Sequence, residues 1–464
     1  MEKISVETIV RAVNGTLIKE CDEKYISGVK HDSRECGEKD MFVAVAGENR
    51  DGHDYISQVI ERGCRTVLVS HLGEWYDRTA GTDMNVIMVD DTVYAMGELA
   101  KHYLETLDVI KVAVTGSVGK TSTRDMIYYV LSEKYNCGRN MKNFNNAVGL
   151  PLSVFQFDRN MDVVVLEMGM DGFGEIDRLA EIVKPNIAVI TNIGVSHIEN
   201  LGSREGIFKA KMEITDHITG YGDKQGVLVF RWDDEFLTRE KTYGKYRQVI
   251  VGDNGKSDYI ISDIDDFGVK GIQFTLEHLN EARRISIGIP GKHNAVNGTL
   301  AIAVGDLLGV SADEEQAGLA KVQLTGRRLK YIKGSRFDVI DDTYNASPDS
   351  MKSALKVLER SSCKGKKTAI LGDMYELGDQ SERQHYGVGV FARSLSVDRI
   401  VAVGEKALHI AEGAEGGKAH VMCFSDKKEL IDNIDQLTGP GDIILVKGSR
   451  GMQMEEIVES LLDI

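Results

Sequence analysis

Thr115-Gly116-Ser117-Val118-Gly119-Lys120-Thr121 follows the apolar run Val112-Ala113-Val114 and opens, through Ser122, onto a helix-forming stretch. A strand, a short glycine loop and a helix in that order make a phosphate trap. Successive backbone N–H groups and the positive helix end face an anion, Lys120 adds a cation, and Thr121 offers its hydroxyl to magnesium. The longer pattern GxxxxGK[ST] would need glycine at 114, where this chain has Val114. An ordinary strand–helix turn with an exposed lysine also satisfies the shorter GxxGK[ST] spacing.

Outward from the loop, the chain reads as α/β. Residues 108–114, 162–166 (DVVVL) and 186–190 (NIAVI) are near-continuous apolar runs, the signature of parallel strands buried on both faces. Before them, residues 1–108 mix short strands (41–46, 66–69, 86–89) with helices such as 55–62. From 225 to 289 the pattern changes to short strands and turns, which predicts an antiparallel appendage or edge sheet. Residues 291–308 then read as an Ala- and Leu-rich helix. After Gly326, strand-like 337–340, 368–371, 399–403 and 442–446 alternate with helical stretches, and Ser347-Pro348 reads as an N-cap followed by proline at the first helical position. The expectation is three domains. Residues 1–108 form a small α/β unit, 109–324 a P-loop ATPase-like parallel-sheet unit, and 325–464 a Rossmann-like unit.

A chain of 464 residues exceeds one ordinary core, and 42% hydrophobic with 28% charged residues is globular. Acidic residues outnumber basic ones by 72 to 56, a net charge of −16. That balance argues against a nucleic-acid partner, which needs a Lys/Arg excess, while leaving room for a local basic pocket. Six scattered cysteines without a CxxC pair suit reduced thiols better than disulfides or zinc. The N-terminal MEKISVETIVRAVNG reads as an amphipathic helix rather than a signal peptide. No apolar run approaches the ~20 residues needed to span a bilayer. The expectation is a soluble, cytoplasmic protein without membrane insertion, acting as a monomer.

Several strand ends carry chemistry. Glu167 closes DVVVL and would enter the crevice at the carboxyl ends of the strands, as a metal ligand or as a solvated acid. His197, in TNIGVSH, falls near the same sheet edge, where metal, phosphate and purely structural roles all stand. Lys209 and Lys211 sit on an apparent helix at 207–217 and, taken alone, read as solvated. Asn294 and Asn297 share one face of a helix start, suited to an adenine edge or to capping. Asp342, Tyr344 and Asn345 follow a strand end, and Arg327 and Arg328 offer either a mobile cation for phosphate or a solvated junction.

In this order, TGSVGKTST (115–123), NFNNAVGLPL (143–152), LEMGM (166–170), TNIGVSHIENLGSREGIFKAKMEI (191–214) and GKHNAVNGTLA (291–301) resemble the Mur ligase family. DDTYNASPDSMKSAL (341–355), LGDMYELGDQSERQH (371–385) and VKGSRGMQMEE (446–456) extend the resemblance to the end of the chain. Members of this family build the peptide stem of peptidoglycan. The branch that adds a third amino acid usually carries a DNPR signature in its last domain, which is absent here. The resemblance therefore implies ATP-driven joining of D-alanyl-D-alanine to UDP-N-acetylmuramoyl-tripeptide. ATP would phosphorylate the tripeptide carboxylate to an acyl phosphate, and the dipeptide amine would then displace phosphate. A single amino acid as acceptor, or a P-loop regulatory switch with no acceptor, are the competing readings.

Carried over by motif, the resemblance implies that Thr115 to Ser122, with Lys120 foremost, bind the ATP phosphates. Thr121 and Glu167 would hold a first Mg2+, with His197 joining a second. Lys211 matches a lysine that can be carbamylated in this family, turning a cation into a metal-binding carboxylate. Asn294, Asn297, Asp342, Tyr344 and Asn345 match nucleotide-contacting positions, and Arg328 matches a phosphate-side arginine. Asn145 and Asn146, with Ser33, Arg34, Asp51, Gly52 and His53, match substrate-binding segments, the last five at the UDP end. Lys447 to Arg450 is the candidate region for the dipeptide. Since ATP contacts are divided between the second and third units, the complete site needs both.

Overall fold

The computed structural model describes residues 1–47, 50–141 and 143–463. Its centre is a nine-stranded sheet in which Ile110–Thr115 lies between Val163–Glu167 and Ile187–Ile190, all parallel. Cys137–Arg139 forms one edge. On the other side, Val227–Arg231, Arg247–Gly252 and Tyr259–Asp266 continue the parallel order. Only Ile272–His278 and Glu281–Ile287 then run antiparallel. The antiparallel appendage expected from 225 onward therefore begins later, at the pairing of Tyr259–Asp266 with Ile272–His278. Burial explains the difference. Val227, Leu228, Val229 and Phe230 are all buried, so that strand is covered on both faces like its parallel neighbours. In Ile272–His278 the buried Ile272, Phe274 and Leu276 alternate with outward residues, as in a half-covered antiparallel strand.

Successive residues of the central strand face opposite ways. Val112 and Val114 join a core with Val165, Val189 and the helices Lys120–Leu131 and His293–Leu307. Ala113, Leu166 and Ile190 join a second core, which also takes in Leu99 and Tyr103 of the helix Thr92–Glu105 and, from the first unit, Ile9, Met41 and Leu68. That helix starts on the side chain of Asp91, which accepts from the N–H groups of Val93 and Tyr94. Ion pairs from Glu98 to Arg178 at 2.6 Å, Lys101 to Glu181 at 2.6 Å and Glu105 to Lys184 at 2.7 Å fasten it to the central unit.

The first unit carries a five-stranded sheet, Thr16–Lys19, Asn85–Met88, Thr66–Val69, Asp40–Val43 and Gly28–Lys30, parallel except at Thr16–Lys19. The last unit has six strands in the order Lys330–Ile332, Asp338–Asp342, Ile443–Lys447, Lys367–Gly372, Arg399–Val403 and His420–Phe424, parallel except at Lys330–Ile332. Ser347 caps the helix Pro348–Arg360 in a capping box, with Pro348 in its first turn, as the sequence predicts. No helix among the described residues is long and apolar enough to cross a membrane.

One buried acid marks the back of the central unit. Glu315, on the helix Ala312–Lys321, is fully buried, and the missing side chain of Gly305 makes room for it: a Cβ there would lie 3.0 Å from Glu315 Oε1. Arg283 donates to its other oxygen. Burial, with Asp306 adding repulsion, outweighs Arg283 and pushes the carboxyl up to about 8. The folded protein then holds a proton that the unfolded chain releases near about 4.3. This contribution to stability is full below that pH and is lost as pH rises through about 8. Glu315→Gln should flatten the fall in melting temperature between pH 5 and 8, read by thermal melts in parallel. Equal declines in both proteins would remove Glu315 as the cause.

Candidate active site

The glycine loop leaves the sheet at Thr115 and turns into the helix Lys120–Leu131. The turn requires backbone that other residues resist: Gly116 has φ +148°, and a Cβ there would fall 1.9 Å from Thr191 Oγ1. Thr191 and Asn192, at the end of the next strand, hold the loop in shape. Asn192 accepts from Val118 N–H at 3.0 Å and donates to the Val118 carbonyl at 2.8 Å, while Thr191 donates to the same carbonyl at 2.7 Å. Ser117 Oγ accepts from Gly194 N–H. The sequence places TNIGVSH beside the loop but gives no sign that its first two residues are the brace. Lys120 Nζ donates to the Gly116 carbonyl at 2.8 Å. Protein crowding around the cleft lowers its pKa, and the nearby Glu167 pulls the other way.

Glu167 is the last residue of its strand and only 2% exposed, so it is not a solvated strand end. Thr121 Oγ1 donates to its Oε2 at 2.7 Å and Asn145 Nδ2 to its Oε1 at 2.9 Å. Asn140 fixes the backbone on both sides, accepting from Glu167 N–H and donating to the Glu167 carbonyl, each at 3.0 Å. On the helix Arg204–Met212 the two lysines separate cleanly: Lys209 is exposed and Lys211 is 1% exposed. Burial, helped by the charge of Lys120, drives the Lys211 pKa well below the ordinary lysine value. Burial thus favours its neutral amine, against the solvated reading of the sequence alone.

A cavity of about 870 Å³ opens over this floor. Residues 117–122, Asn145, Asn146, Glu167 and His197 line one side, and Arg328, Asp342, Tyr344, Asn345, Lys447 and Arg450 the other. Asp342 is paired with Lys447 Nζ at 2.7 Å and accepts from Leu329 N–H at 3.1 Å. Burial raises its pKa and Lys447 opposes the rise. Arg328 stacks over Tyr344, 3.6 Å from the ring centroid, and donates to the Thr325 carbonyl at 2.6 Å. Arg327 turns away into ion pairs with Asp341 and Glu459, so of the two junction arginines Arg328 is the one on the cavity. Asn297 Nδ2 donates to Asn294 Oδ1 at 2.8 Å, and Asn294 in turn donates to the Pro290 carbonyl. Both asparagines line the cavity.

His197 reaches across the cleft. Its Nδ1 lies 3.1 Å from Asp171 Oδ1 and 3.0 Å from Glu376 Oε2, but off the hydrogen-bonding direction, so this buried ring atom has no aligned partner. His197 and Glu376 both have φ +62°, a left-handed backbone that non-glycine residues hold only at a cost. Neither Asp171 nor Glu376 stands out in the sequence, because each is an acid in a loop with no spacing to mark it.

The residues expected at the UDP end lie elsewhere: among the described residues lining the cavity, none comes from the first unit. Ser33 donates to Gln58 at 2.8 Å, and Arg34 forms an exposed pair with Asp32. Asp51 accepts from His53 Nδ1 at 2.5 Å, while Ser70 N–H donates to His53 Nε2 at 3.0 Å, so both ring nitrogens of the buried His53 are engaged within the fold. Gly52 packs so closely that a Cβ would lie 2.6 Å from Val45 N.

Residues 25–104 match the catalytic domain of the Mur ligase family, 114–305 the Mur ligase middle domain, and 327–450 the Mur ligase glutamate ligase domain. The UDP-N-acetylmuramoyl-tripeptide–D-alanyl-D-alanine ligase of Bacillus subtilis (strain 168) is 39% identical, covering 100% of this chain and 99% of its own. The enzyme of the same name from Escherichia coli (strain K12) is 31% identical, covering 99% of each. A crystal structure of MurF from Acinetobacter baumannii superposes with a TM-score of 0.90 at 31% identity over 100% of both chains. MurF ligase from Thermotoga maritima, solved in complex with ADP, gives 0.81 at 27% identity, covering 94% of this chain and 97% of that one.

The brace beneath the loop has a measurable worth. Asn192→Ala removes two hydrogen bonds to Val118 and should cost about 1–3 kcal/mol in urea denaturation. A loss under about 0.5 kcal/mol would mean that the loop keeps its shape without Asn192.

Proposed function

Because the chain belongs to the Mur ligase family, we infer that it is an ATP-dependent ligase of the branch its full-length relatives represent. It joins D-alanyl-D-alanine to UDP-N-acetylmuramoyl-tripeptide in peptidoglycan precursor synthesis. The observation that carries this is the Thr121–Glu167 contact at 2.7 Å beneath the glycine loop, on the cavity whose far wall holds Arg328 and Asp342.

A carboxylate resists attack by an amine until one of its oxygens becomes a good leaving group. In this reading the tripeptide carboxylate oxygen attacks the terminal phosphorus of ATP, and the bond to ADP breaks. The dipeptide nitrogen then attacks the acyl carbon, loses its proton, and phosphate departs with the C–O bond. The loop amides and Lys120 hold the phosphates against the floor. Arg328, stiffened by Tyr344, adds fixed positive charge from the opposite wall. The hydroxyl of Thr121 and the carboxylate of Glu167 are hard oxygen donors that fit magnesium. Bound there, magnesium would offset the phosphate charge. The unaligned Nδ1 of His197 suits a second cation. Asn294, Asn297 and Asn345 remain the polar candidates for the base and ribose. Arg34 follows the strand Gly28–Lys30 and Asp51 to His53 follow its parallel neighbour Asp40–Val43, so both sit beyond the carboxyl ends of adjacent strands, where the UDP end would bind.

Lys211 fits carbamylation on chemical grounds. Burial favours the neutral amine, the form that reacts with CO2 and releases a proton, and the resulting anion would replace repulsion from Lys120 with attraction. Lys211→Ala should lose about a hundredfold or more in turnover and recover part of it in small carboxylic acids. A 13C-labelled CO2 adduct should appear by NMR in the parent protein only. Neither rescue nor adduct would leave Lys211 a plain lysine. For the reaction itself, phosphate release should require both UDP-N-acetylmuramoyl-tripeptide and D-alanyl-D-alanine. Turnover supported by single amino acids alone, or by ATP alone, would overturn the assignment.

A further inference from the structure

Behind the phosphate floor lies a buried cluster that the reaction described above does not use. Arg124, in the loop helix, is fully buried, and its guanidinium forks onto several groups at once. It donates to Asp125 Oδ1 at 2.6 Å from Nη2 and 3.0 Å from Nε, to the Asn140 carbonyl at 2.9 Å, and to Thr325 Oγ1 at 2.9 Å. Its Nη1 also stands 3.6 Å from Glu167 Oε2. Asp125 is equally buried, takes a second guanidinium from Arg139 at 2.8 Å, and accepts from Thr325 N–H at 2.6 Å. Thr325 belongs to the connection between the second and third sheets. Its own carbonyl receives Arg328 Nη1 at 2.6 Å.

We propose that Arg124 and Asp125 are positioning residues: they grip the connection at Thr325 and so set the place of Arg328 relative to the phosphate floor. The argument rests on the reading that Arg328 faces the transferred phosphate. Geometry favours a positioning role over simple packing. Both partners of Thr325 come from the first turns of the helix that starts with Lys120 and Thr121, so the floor and the connection share one reference point. The same guanidinium lies against Glu167, the other fixed charge of the floor. A connection held only by solvent-exposed contacts would let Arg328 wander by the reach of its own backbone and weaken its hold on the nucleotide phosphates. Two cations and two carboxylates balance within the cluster, which is what allows such charges to be buried together.

Arg124 is the wrong place to cut, since removing one member of a buried charged cluster strands the rest. Thr325→Val removes only the hydroxyl, and Thr325→Ser keeps it. In the Val variant the KM for ATP should rise about five- to tenfold with a smaller change in kcat. Hydrogen exchange over residues 322–329 should accelerate, and binding of a fluorescent ADP analogue should weaken by a similar factor. Thr325→Ser should restore all three. A KM within twofold of the parent together with unchanged exchange, or equal defects in both variants, would overturn the proposal. Glu167→Gln serves as a separate control. If it stays fully active the reading of the phosphate floor fails, whatever Thr325 does.

Discussion

The parallel ladder between Ile110–Thr115 and Val163–Glu167 sets Glu167 opposite Val114, at the point where the glycine loop leaves the sheet. Everything at the floor of the cleft follows from that register. A shift of one residue would turn the carboxylate to the other face of the sheet, away from Thr121. Because the register is locked by strands buried on both faces, the acid arrives without a loop to carry it. Its burial then has to be matched group by group, since an unpaired buried carboxylate is severely destabilising. Thr121 and Arg124 of the loop helix and Asn145 from the segment after it supply the match.

The same cleft sets cations among acids such as Glu167, Asp171, Asp342 and Glu376. Lys120, Lys211, Arg328 and Lys447 all lie at or beneath it, although the chain carries −16 overall. Burial lowers the pKa of both Lys120 and Lys211, and the charge of Lys120 adds to the effect at Lys211. In the proposed reading, cations held in place before phosphates and carboxylates arrive need little further reorganisation.

Much of this was legible in the sequence, and the reasons are specific. Continuous apolar runs such as DVVVL and NIAVI read directly as buried parallel strands, so Glu167 and the glycine loop could be placed at one sheet edge. The run at 227–230 has the same character, but turns around it masked its parallel pairing. Lys211 could not be told from Lys209 by helical spacing alone, because which lysine is buried depends on what packs against the helix. Asn192, Asp171, Glu376 and the Arg124–Asp125 pair were invisible for a related cause. Each acts through partners between 26 and 201 residues away or through a loop whose path no local pattern encodes. His53 shows the reverse: a motif match was visible, but its burial and its two engaged ring nitrogens were not.

The helix Thr92–Glu105 gives the molecule an uneven mechanics. Its apolar side belongs to one core running from Ile9 and Met41 through to Leu166 and Ile190, and three ion pairs rivet its outer side to the central unit. The first two sheets are therefore one casting. The last sheet has cores of its own, built from residues such as Leu355, Ile400 and Val446, and meets that casting across the cleft. Besides the connection at 322–329, Val269 N–H donates to Ser361 Oγ and so ties the two together away from the cleft, while the strained pair His197 and Glu376 faces across it.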